Sequence, residues 1–215
     1  MTEQRYSFKL ALSPHEVKAY FDLRRAIFCH EQKLFIDSDV DELDQYAYPI
    51  VAIDREATPL NQVVGVVRIY ESQPGLWYGG RLGVHQDYRR VGQIGKGLIY
   101  KAVSTANTWG CKQFLATVQL QNVRFFQRLH WRSLAKIAIC VNAAVPEGLL
   151  PHQLMEADLN YYPPGTESRP LPIQQKKPQP SGLGLKPGSV YLSRQMAAVT
   201  LLEPKLDPDL LDRDL

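Results

Sequence analysis

Residues 76–97 hold an apolar strand, a group of cations and several glycines in an order that suits phosphate binding. The cations are Arg89, Arg90 and Lys96, and the glycines are Gly92, Gly95 and Gly97. Glycine lets the main chain turn sharply and come close to a ligand. A helix that starts near Ile94 would add the positive end of its dipole at the same place. This stretch therefore predicts recognition of an anion, with phosphate as the first choice.

The spacing of the glycines excludes two common nucleotide loops. A Walker A loop needs four residues between its glycines, then Lys and a Ser or Thr; here Lys96 follows Gly95, which is separated from Gly92 by only two residues, and Gly97 stands where the Ser or Thr is needed. The dinucleotide pattern G-x-G-x-x-G is absent, and no acidic residue follows in the right context. What remains is Arg-x-x-(Gly)-x-Gly, running from Arg90 to Gly95 and leading into a helix.

This remaining pattern resembles the coenzyme A loop of the GNAT superfamily of N-acetyltransferases, and Leu82-Gly83-Val84 resembles that family's central strand. The resemblance implies acetyl-CoA as acyl donor, with no metal. The residues it assigns to the donor are Leu82, Gly83, Val84, Arg89, Arg90, Val91, Gly92, Gln93, Ile94, Gly95, Lys96 and Phe126. One departure concerns Gln93, which stands where the first glycine of the family usually stands, with Gly92 one place earlier.

Ahead of the loop, the sequence predicts a helix and three strands. Ser13-Pro14-His15-Glu16 is a capping box with Pro at the first helical position, and apolar residues at helical spacing continue to Phe28. A short strand over Ser7–Leu12 precedes it. The predicted strands that follow are Pro49–Asp54, Gln62–Tyr70 and Leu76–Val84, each separated from the next by turn residues.

After the loop, the apolar face that begins at Ile94 predicts a helix ending at Gly110. The strand Gln113–Val118 should run parallel to the one before the helix, because strand–helix–strand connections are crossovers. A short helix at 122–129 and strands at 133–141 and 153–159 complete the order. This order resembles the GNAT fold, an α/β (α+β) architecture. It implies a mixed, mostly antiparallel sheet with two splayed parallel central strands, flanked by helices.

Composition predicts one main domain with an appendage. The chain has 215 residues, of which 45% are hydrophobic, enough for one substantial core. We assign residues 1–160 to the acyltransferase domain, 161–188 to a Pro-rich linker or arm, and 189–215 to a docking segment with an acidic tail. The arm holds seven of the fifteen prolines, a composition typical of segments that bury little apolar surface.

The net charge and the cysteines indicate where in the cell the protein acts and which classes of partner it binds. A net charge of +3 is too small to indicate nucleic acid, and the N-terminus has no apolar run of signal-peptide or membrane-span length. Cys29, Cys111 and Cys140 lack C-x-x-C pairing and favour reduced thiols in a cytoplasm. We expect a cytoplasmic protein without a membrane partner; the sequence leaves a homodimer open.

An acidic run at residues 37–44 has the spacing of a calcium loop at its start. It fails that pattern further on, because Glu42 replaces the glycine of the sixth position and Tyr48 the glutamate of the twelfth. Two interpretations remain. The run is a solvated loop, or it is a negative rim that attracts a cationic amine. Arg24 and Arg25 could pair with these acids.

Two further segments carry a resemblance to one branch of the superfamily. Phe21-x-x-Arg24-x-x-Ile27-Phe28-x-x-Glu31-Gln32, followed by Asp41-x-x-Asp44, is similar to the first-helix signature of that branch and to acyl-homoserine-lactone synthases. Residues 151–164 resemble the late strand of the nitrogen-starvation N-acetyltransferases found in nitrilase gene clusters. The resemblance assigns substrate binding to Arg24, Phe28, Asp41, Asp44 and His152.

Acetyl transfer needs an oxyanion donor, a base and a fate for the thiolate. The backbone N–H of Val84 is the expected oxyanion donor, since a fixed donor aimed at developing charge contributes several kcal/mol. Glu31 is the first candidate for the base, followed by His85 and His152. The family's usual acid is a Tyr on the short helix, where this chain has Phe126, so Tyr88 or a bound water would have to replace it.

The predicted function is direct transfer of an acetyl group from acetyl-CoA to the amine of a small molecule. Three alternatives remain open. A lactone-synthase-like enzyme would use an acyl carrier protein, which needs no pyrophosphate loop. A non-catalytic acyl-CoA sensor or scaffold is favoured by Phe126 and the arm. A protein-modifying acetyltransferase would need a peptide groove, on which the sequence is silent.

Overall fold

The structure, a computed structural model, describes residues 5–57, 61–140, 149–172 and 200–201. The strands are β1 (Tyr6–Leu10), β2 (Tyr48–Asp54), β3 (Gln62–Gln73), β4 (Leu76–Val84), β5 (Gln113–Gln119), β6 (Trp131–Cys140), β7 (Leu149–Ala157) and β8 (Thr200–Leu201). The helices are α1 (Pro14–Arg25), α2 (Gln93–Thr108) and α3 (Val123–Gln127). Most of the predicted docking segment and all of the acidic tail beyond residue 201 lie outside the described residues.

The strands form one sheet in the order β1-β2-β3-β4-β5-β7-β6-β8. Neighbouring strands are antiparallel except β4 and β5, which are parallel. The predicted crossover through α2 is therefore confirmed, as is the mixed, mostly antiparallel sheet. Helices cover the sheet on both sides and leave the ends of β4 and β5 to form the site.

Helix α1 begins as the capping box predicts. The Ser13 side chain accepts a hydrogen bond from the Glu16 backbone, and the Glu16 carboxylate accepts one in return from the Ser13 backbone. A π-helical segment at Ala26–Glu31 continues α1, so the helical path passes the predicted end at Phe28. Buried side chains of this segment, including Ile27, pack against β2 and β3. Burial of these side chains prolongs the helical path beyond the end that the sequence pattern indicated.

Helix α2 packs on the opposite face of the sheet. Its buried positions, among them Ile94, Leu98 and Val103, join a core with residues of β2 to β5. Gly110, with φ of +88°, follows the end of the helix as predicted. The buried stripe of α2 sets the direction of its first turn, and that turn faces the loop after β4.

Residues 163–172 lie within the predicted arm and have no regular secondary structure. They run along α2, where the Trp109 indole donates to the Glu167 carbonyl at 2.9 Å and Lys101 pairs with the Glu167 carboxylate. Arg169 lies over the rings of Tyr48, Trp77 and Trp109, with 4.9–5.8 Å between its guanidinium carbon and the ring centroids. This stretch is extended and held by polar and cation–π contacts.

Candidate active site

The parallel strands separate where the site begins. Pairing between β4 and β5 covers Leu76–Gly79 against Gln113–Ala116 and then stops, although β4 continues to Val84 and β5 to Gln119. The remainder of β5 stays paired with β7. A gap therefore opens between β4 and β5, as the sequence analysis predicted.

A bulge in β4 lies next to this separation. Val66 pairs with Gly83 and Arg68 pairs with Gly80, so β4 has one more residue than β3 between these two pairs. Arg81 lies within it and has φ of +53°. A bulge bends its strand and increases the local twist. The bend carries the end of β4 away from β5.

Val84 presents its backbone polar groups to the gap. His85 N donates to Val64 O at 2.9 Å, and hydrogen-bonding direction alternates along an antiparallel pair, so the Val84 amide points away from β3. The Val84 carbonyl accepts a hydrogen bond of 3.0 Å from Arg89 Nε, which agrees with this direction. No described residue accepts a hydrogen bond from this amide, so its position suits the oxyanion role predicted for Val84.

The predicted phosphate loop folds as a 3₁₀ segment, Gln86–Val91, that leads into α2. Gly92 joins the two with φ of +53°, a conformation that favours glycine, and a Cβ there would meet nothing within 4 Å. Within the described residues, no side chain caps the first turn of α2. The first N–H groups of a helix have no partner within it, and here they lie beside the exposed Gly92, Gln93 and Lys96, which suits an anionic ligand.

The three loop cations differ in what they contact. Arg90 and Lys96 are exposed, and no described residue forms an ion pair or hydrogen bond with either side chain. Arg89 instead forms two hydrogen bonds of 2.6 Å with the Glu31 carboxylate. Two of the predicted cations are therefore available for phosphate, and the predicted phosphate contact of Arg89 is not supported, because its guanidinium is already engaged.

The glycines also divide by role. A Cβ at Gly97 would lie 2.2 Å from the Phe8 ring, so this glycine makes room for β1, not for a ligand. A Cβ at Gly83 would lie 2.8 Å from Ile27 Cδ1, so Gly83 makes room for the π-helical segment that continues α1. Gly95 and Gly80 are unobstructed, with 3.5 Å to Phe125 and open space respectively. The sequence analysis placed Gly97 and Gly83 at the donor, whereas packing against a distant segment is enough to explain each of these glycines.

Glu31, the first candidate for the base, is tied to Arg89. The hydrogen bonds from Arg89, with its charge and that of His85, hold the pKa of Glu31 below its ordinary value. A carboxylate with a lowered pKa is a weak proton acceptor near neutral pH. The geometry therefore counts against Glu31 as the base and gives it a positioning contact with the loop.

His85 lies directly after Val84 at the start of the loop. Its Nδ1 accepts a hydrogen bond of 3.4 Å from the Asp87 backbone N–H and lies 3.7 Å from the Asp87 carboxylate, and the side chain is about one-third exposed at 32%. Tyr88 packs edge-on against this ring, with 5.9 Å between the ring centroids. Burial, followed by the negative charge of Asp54, raises the pKa of Tyr88, so its hydroxyl is a weak acid.

Phe126 lies in the core beside α2. Its ring is 7% exposed and meets Trp131 edge to face, with 5.1 Å between ring centroids. The short helix thus carries no hydroxyl at this position, as the sequence indicates. Little of the ring is left for a ligand, so the predicted donor contact of Phe126 is not supported.

Three arginines and three aspartates form a cluster on the α1 face of the sheet. Its members are Arg24, Arg68, Arg81, Asp39, Asp41 and Asp44, which we call the ion cluster. Arg24 is fully buried and donates to Asp39 at 2.7 Å and to Asp44 at 2.6 Å. Arg68 donates to both carboxylate oxygens of Asp41, at 2.6 and 3.0 Å. The formal charges cancel within the cluster.

The ion cluster corrects the prediction of a negative rim. Burial alone would raise the pKa of Asp44, but Arg24 and Arg68 outweigh it and the pKa lies below its ordinary value. Arg24 and Asp44 have their charged atoms occupied inside the protein, and Asp41 is shared between Arg68 and Arg81. Their predicted contacts with substrate are not supported, because each is satisfied by another member.

The other two predicted substrate residues differ in position. Phe28 is 7% exposed in the cluster under α1, with its Cζ 3.5 Å from where a Gly83 Cβ would stand. His152 lies on β7 opposite Gln119, the last residue of β5, and is 9% exposed. His152 therefore lies on β7, the strand that pairs with β5 beside the gap. Phe28 packs against β4 at Gly83, on the face of the sheet that α1 covers.

Sequence reasoning missed Arg68 and Arg81, whereas it included Asp39 in the acidic run and expected Arg24 to pair with these acids, as it does. The signal for Arg68 was a lone charge inside the valine-rich run of β3, since a buried charge needs a partner. Arg81 gave no comparable signal, because an arginine between glycines on a partly exposed strand is ordinary. In the described part of the chain, no group of three His, Cys, Asp or Glu residues is placed to hold a metal ion.

The fold and the gap define a class, the acyltransferases with parallel strands that separate around a donor. Residues 15–131 match the acetyltransferase (GNAT) family, and the chain belongs to it. Among solved structures, a putative N-acetyltransferase from Lactobacillus plantarum has TM-score 0.59 at 20% identity, covering 73% of this chain and 99% of that one. Escherichia coli ElaA gives 0.57 at 20% identity, over 71% and 99%.

A chimera of the Vibrio cholerae spermidine N-acetyltransferase SpeG and hSSAT also has this fold, with TM-score 0.55 and 13% identity over 74% of this chain and 98% of that one. At these identities the likeness concerns the fold. A search of curated proteins found no match. Within the described residues, no helix is long and apolar enough to cross a bilayer.

Proposed function

We propose that this chain transfers an acetyl group from acetyl-CoA to the amine of a small molecule by direct attack. The observation that carries the proposal is the gap between β4 and β5, with the Val84 amide at its edge and Arg90 and Lys96 beside the first turn of α2. Membership of the GNAT family supports it. A neighbour in fold is named as a spermidine N-acetyltransferase, which acts on an amine.

The residues present fit a diphosphate donor. Arg90, Lys96 and the backbone N–H groups around Gly92 would bind the pyrophosphate, and one hydrogen bond to a charged group contributes about 1.5–3 kcal/mol. When bound, the donor supplies an activated acyl group and a thiol leaving group. The Val84 N–H would stabilise the oxyanion as the amine attacks.

We assign the proton of the attacking amine to His85. The ring Nε2 has no hydrogen-bond partner among the described residues, whereas Nδ1 accepts a hydrogen bond of 3.4 Å from the Asp87 backbone N–H. For Nε2 to take the amine proton, the ring proton must move to Nδ1, which lies 3.7 Å from the Asp87 carboxylate. Imidazole is the side chain most often used as a base near neutral pH. The thiolate would leave without a side-chain acid, since Phe126 cannot donate a proton and a thiol has an unperturbed pKa of about 8.5.

A non-catalytic acyl-CoA sensor is the second candidate. The specific observation in its favour is Phe126, which leaves the short helix without an acid. A cytoplasmic location, a homodimer and the nitrogen-starvation subgroup are further proposals that rest on the sequence alone.

Isothermal calorimetry with acetyl-CoA tests the loop. We expect Arg90→Ala to weaken binding by about tenfold or more, since it removes a charged contact to phosphate. Lys112→Ala is the matched control, because it removes an exposed cation before β5, at the far end of that strand. Equal affinities in both variants would contradict the loop assignment.

An amine panel separates the enzyme from the sensor. Thiol release from acetyl-CoA, followed with a thiol reagent, should occur with at least one class of small primary amine. His85→Asn should lower kcat and flatten the pH–rate profile. Tight binding without thiol release for any amine would favour the sensor.

A further inference from the structure

Arg81 has a backbone conformation that arginine normally avoids. It is the one non-glycine residue with positive φ inside any described strand, at +53°. A side chain with a Cβ is strained in this region, and glycine adopts it without penalty. Three nearby β4 positions are glycine, yet this one carries a long charged side chain. Strain that persists at one residue indicates a compensating interaction of its side chain.

The compensating interaction joins β4 to the segment after α1. Arg81 Nε donates to Asp39 Oδ2 at 3.1 Å, and Nη2 donates to the Asp39 carbonyl at 3.0 Å and to Asp41 Oδ2 at 3.1 Å. The Phe35 ring lies 4.6 Å from the guanidinium carbon. The side chain is 20% exposed, so the guanidinium and its hydrogen bonds are largely shielded from water. Arg81 thus fastens its strand to residues 35–41.

The position of Arg81 along β4 gives this contact a consequence. It stands two residues beyond the last parallel pair, Gly79–Ala116, and three residues before Val84. Beyond Gly79, β5 no longer constrains this edge of β4. The direction of the Val84 amide therefore depends on its pairing with β3 and on the bulge that precedes it, and Arg81 is the bulge residue whose side chain is held by hydrogen bonds.

We propose that Arg81 is a positioning residue for acyl transfer. Its guanidinium, gripped by Asp39 and Asp41, fixes the bulge so that the Val84 N–H points at the thioester carbonyl. The inference rests on the proposed function and adds to it a residue outside both the loop and the proton-transfer group. Arg81 touches neither donor nor acceptor and acts through Val84.

Three substitutions at Arg81 test this role, because the ion cluster can tolerate them. Asp39 keeps Arg24 and Asp41 keeps Arg68 when Arg81 is lost. Arg81→Ala removes the guanidinium hydrogen bonds and keeps the backbone strain of a non-glycine residue at positive φ. Arg81→Gly removes both the hydrogen bonds and the strain. Arg81→Lys keeps the positive charge but lacks the planar guanidinium that makes several hydrogen bonds at once. Arg132→Ala is the control, since it removes a strand arginine paired with one carboxylate, Glu156, away from the bulge.

We expect Arg81→Ala and Arg81→Gly to lower kcat by about tenfold to a hundredfold, because small displacements of a catalytic donor have effects of this size. The dissociation constant of acetyl-CoA should stay within about twofold of wild type, since the phosphate loop is intact. Arg81→Lys should recover part of kcat. Arg132→Ala should change neither quantity.

Infrared difference spectra of bound acetyl-CoA, carrying ¹³C at the acetyl carbonyl, give a readout that stability alone does not move. A hydrogen bond from Val84 lowers the carbonyl stretch, so the band should move toward its solution position in Arg81→Ala and Arg81→Gly. Unchanged kcat and band position in both variants, with active wild type, would overturn the inference and leave the proposed function standing. Wild type that fails to bind acetyl-CoA would overturn both.

Discussion

The cations of the loop and those of the ion cluster are the same residue types used in opposite ways. Arg90 and Lys96 are exposed and unpaired within the described residues. Arg24 and Arg68 are buried and surrounded by carboxylates. Arg90 and Lys96 can therefore form ion pairs with a ligand, whereas the charges of Arg24 and Arg68 are already neutralised by aspartates. Proximity of charged residues to a site therefore says little until their partners are known.

The same contrast separates the acids. The sequence alone offered residues 37–44 as an attraction for a cationic amine, but the structure neutralises the central aspartates internally. Selection of the acceptor must then come from other features of the site. The ion cluster connects β4 to the segment after α1, whereas the loop keeps the exposed cations that we propose for donor binding.

The largest expected effect comes from breaking the ion cluster. Arg24→Met leaves Asp39 and Asp44 without their main partner inside the protein, and loss of one member of a buried pair costs about 3–5 kcal/mol. Urea unfolding followed by circular dichroism measures it. Arg25→Met is the control, because Arg25 is the exposed neighbour on the same helix. A similar small loss in both variants would show that the cluster does not support the fold.

Acid should weaken the protein through the same cluster. The folded-state pKa of Asp44 lies below its ordinary value of about 3.9, so its contribution is complete above that value and is lost as pH falls through the folded pKa. The urea midpoint should therefore decline below about pH 4. Asp44→Asn should be less stable at neutral pH and show a shallower acid decline. An equal decline in both proteins would assign acid sensitivity to other carboxylates.

The smallest effect is expected on the loop side, at the exposed pair of Glu31 and Arg89. Glu31→Gln should lower stability by less than about 1 kcal/mol, since exposed ion pairs contribute little. If His85 is the base, kcat should fall only slightly. Steady-state kinetics between pH 6 and pH 9, roughly the range over which His and amine groups titrate, decide this. A large loss of kcat at low pH in this variant would restore Glu31 as the base.

Local signals in the sequence predicted much of the fold. The capping box, the valine run of β3 and the glycine after α2 each act within a few residues, and the structure confirms them. The gap followed from the order of elements and the family resemblance. These features need no knowledge of which distant segments meet.

The site depended on contacts that the sequence does not reveal. Glu31 and Arg89 are 58 positions apart, and Arg81 meets Asp39 across 42. The clash that requires Gly97 is with Phe8 on β1. Each residue looks suited to a ligand when read alone, and its partner removes it from that role. Arg90 kept its predicted availability because no partner reaches it among the described residues.

The position of Arg169 over Tyr48, Trp77 and Trp109 makes tryptophan fluorescence a reporter of whether the arm is bound to the domain. Two of the chain's three tryptophans adjoin this one guanidinium, so displacement of residues 163–169 would alter indole emission without any added dye. Shortening the chain after Tyr162 would also uncover Trp109 to solvent. Attachment of the arm can thus be followed in the intact protein by its own fluorescence, separately from chemistry at the other end of β4.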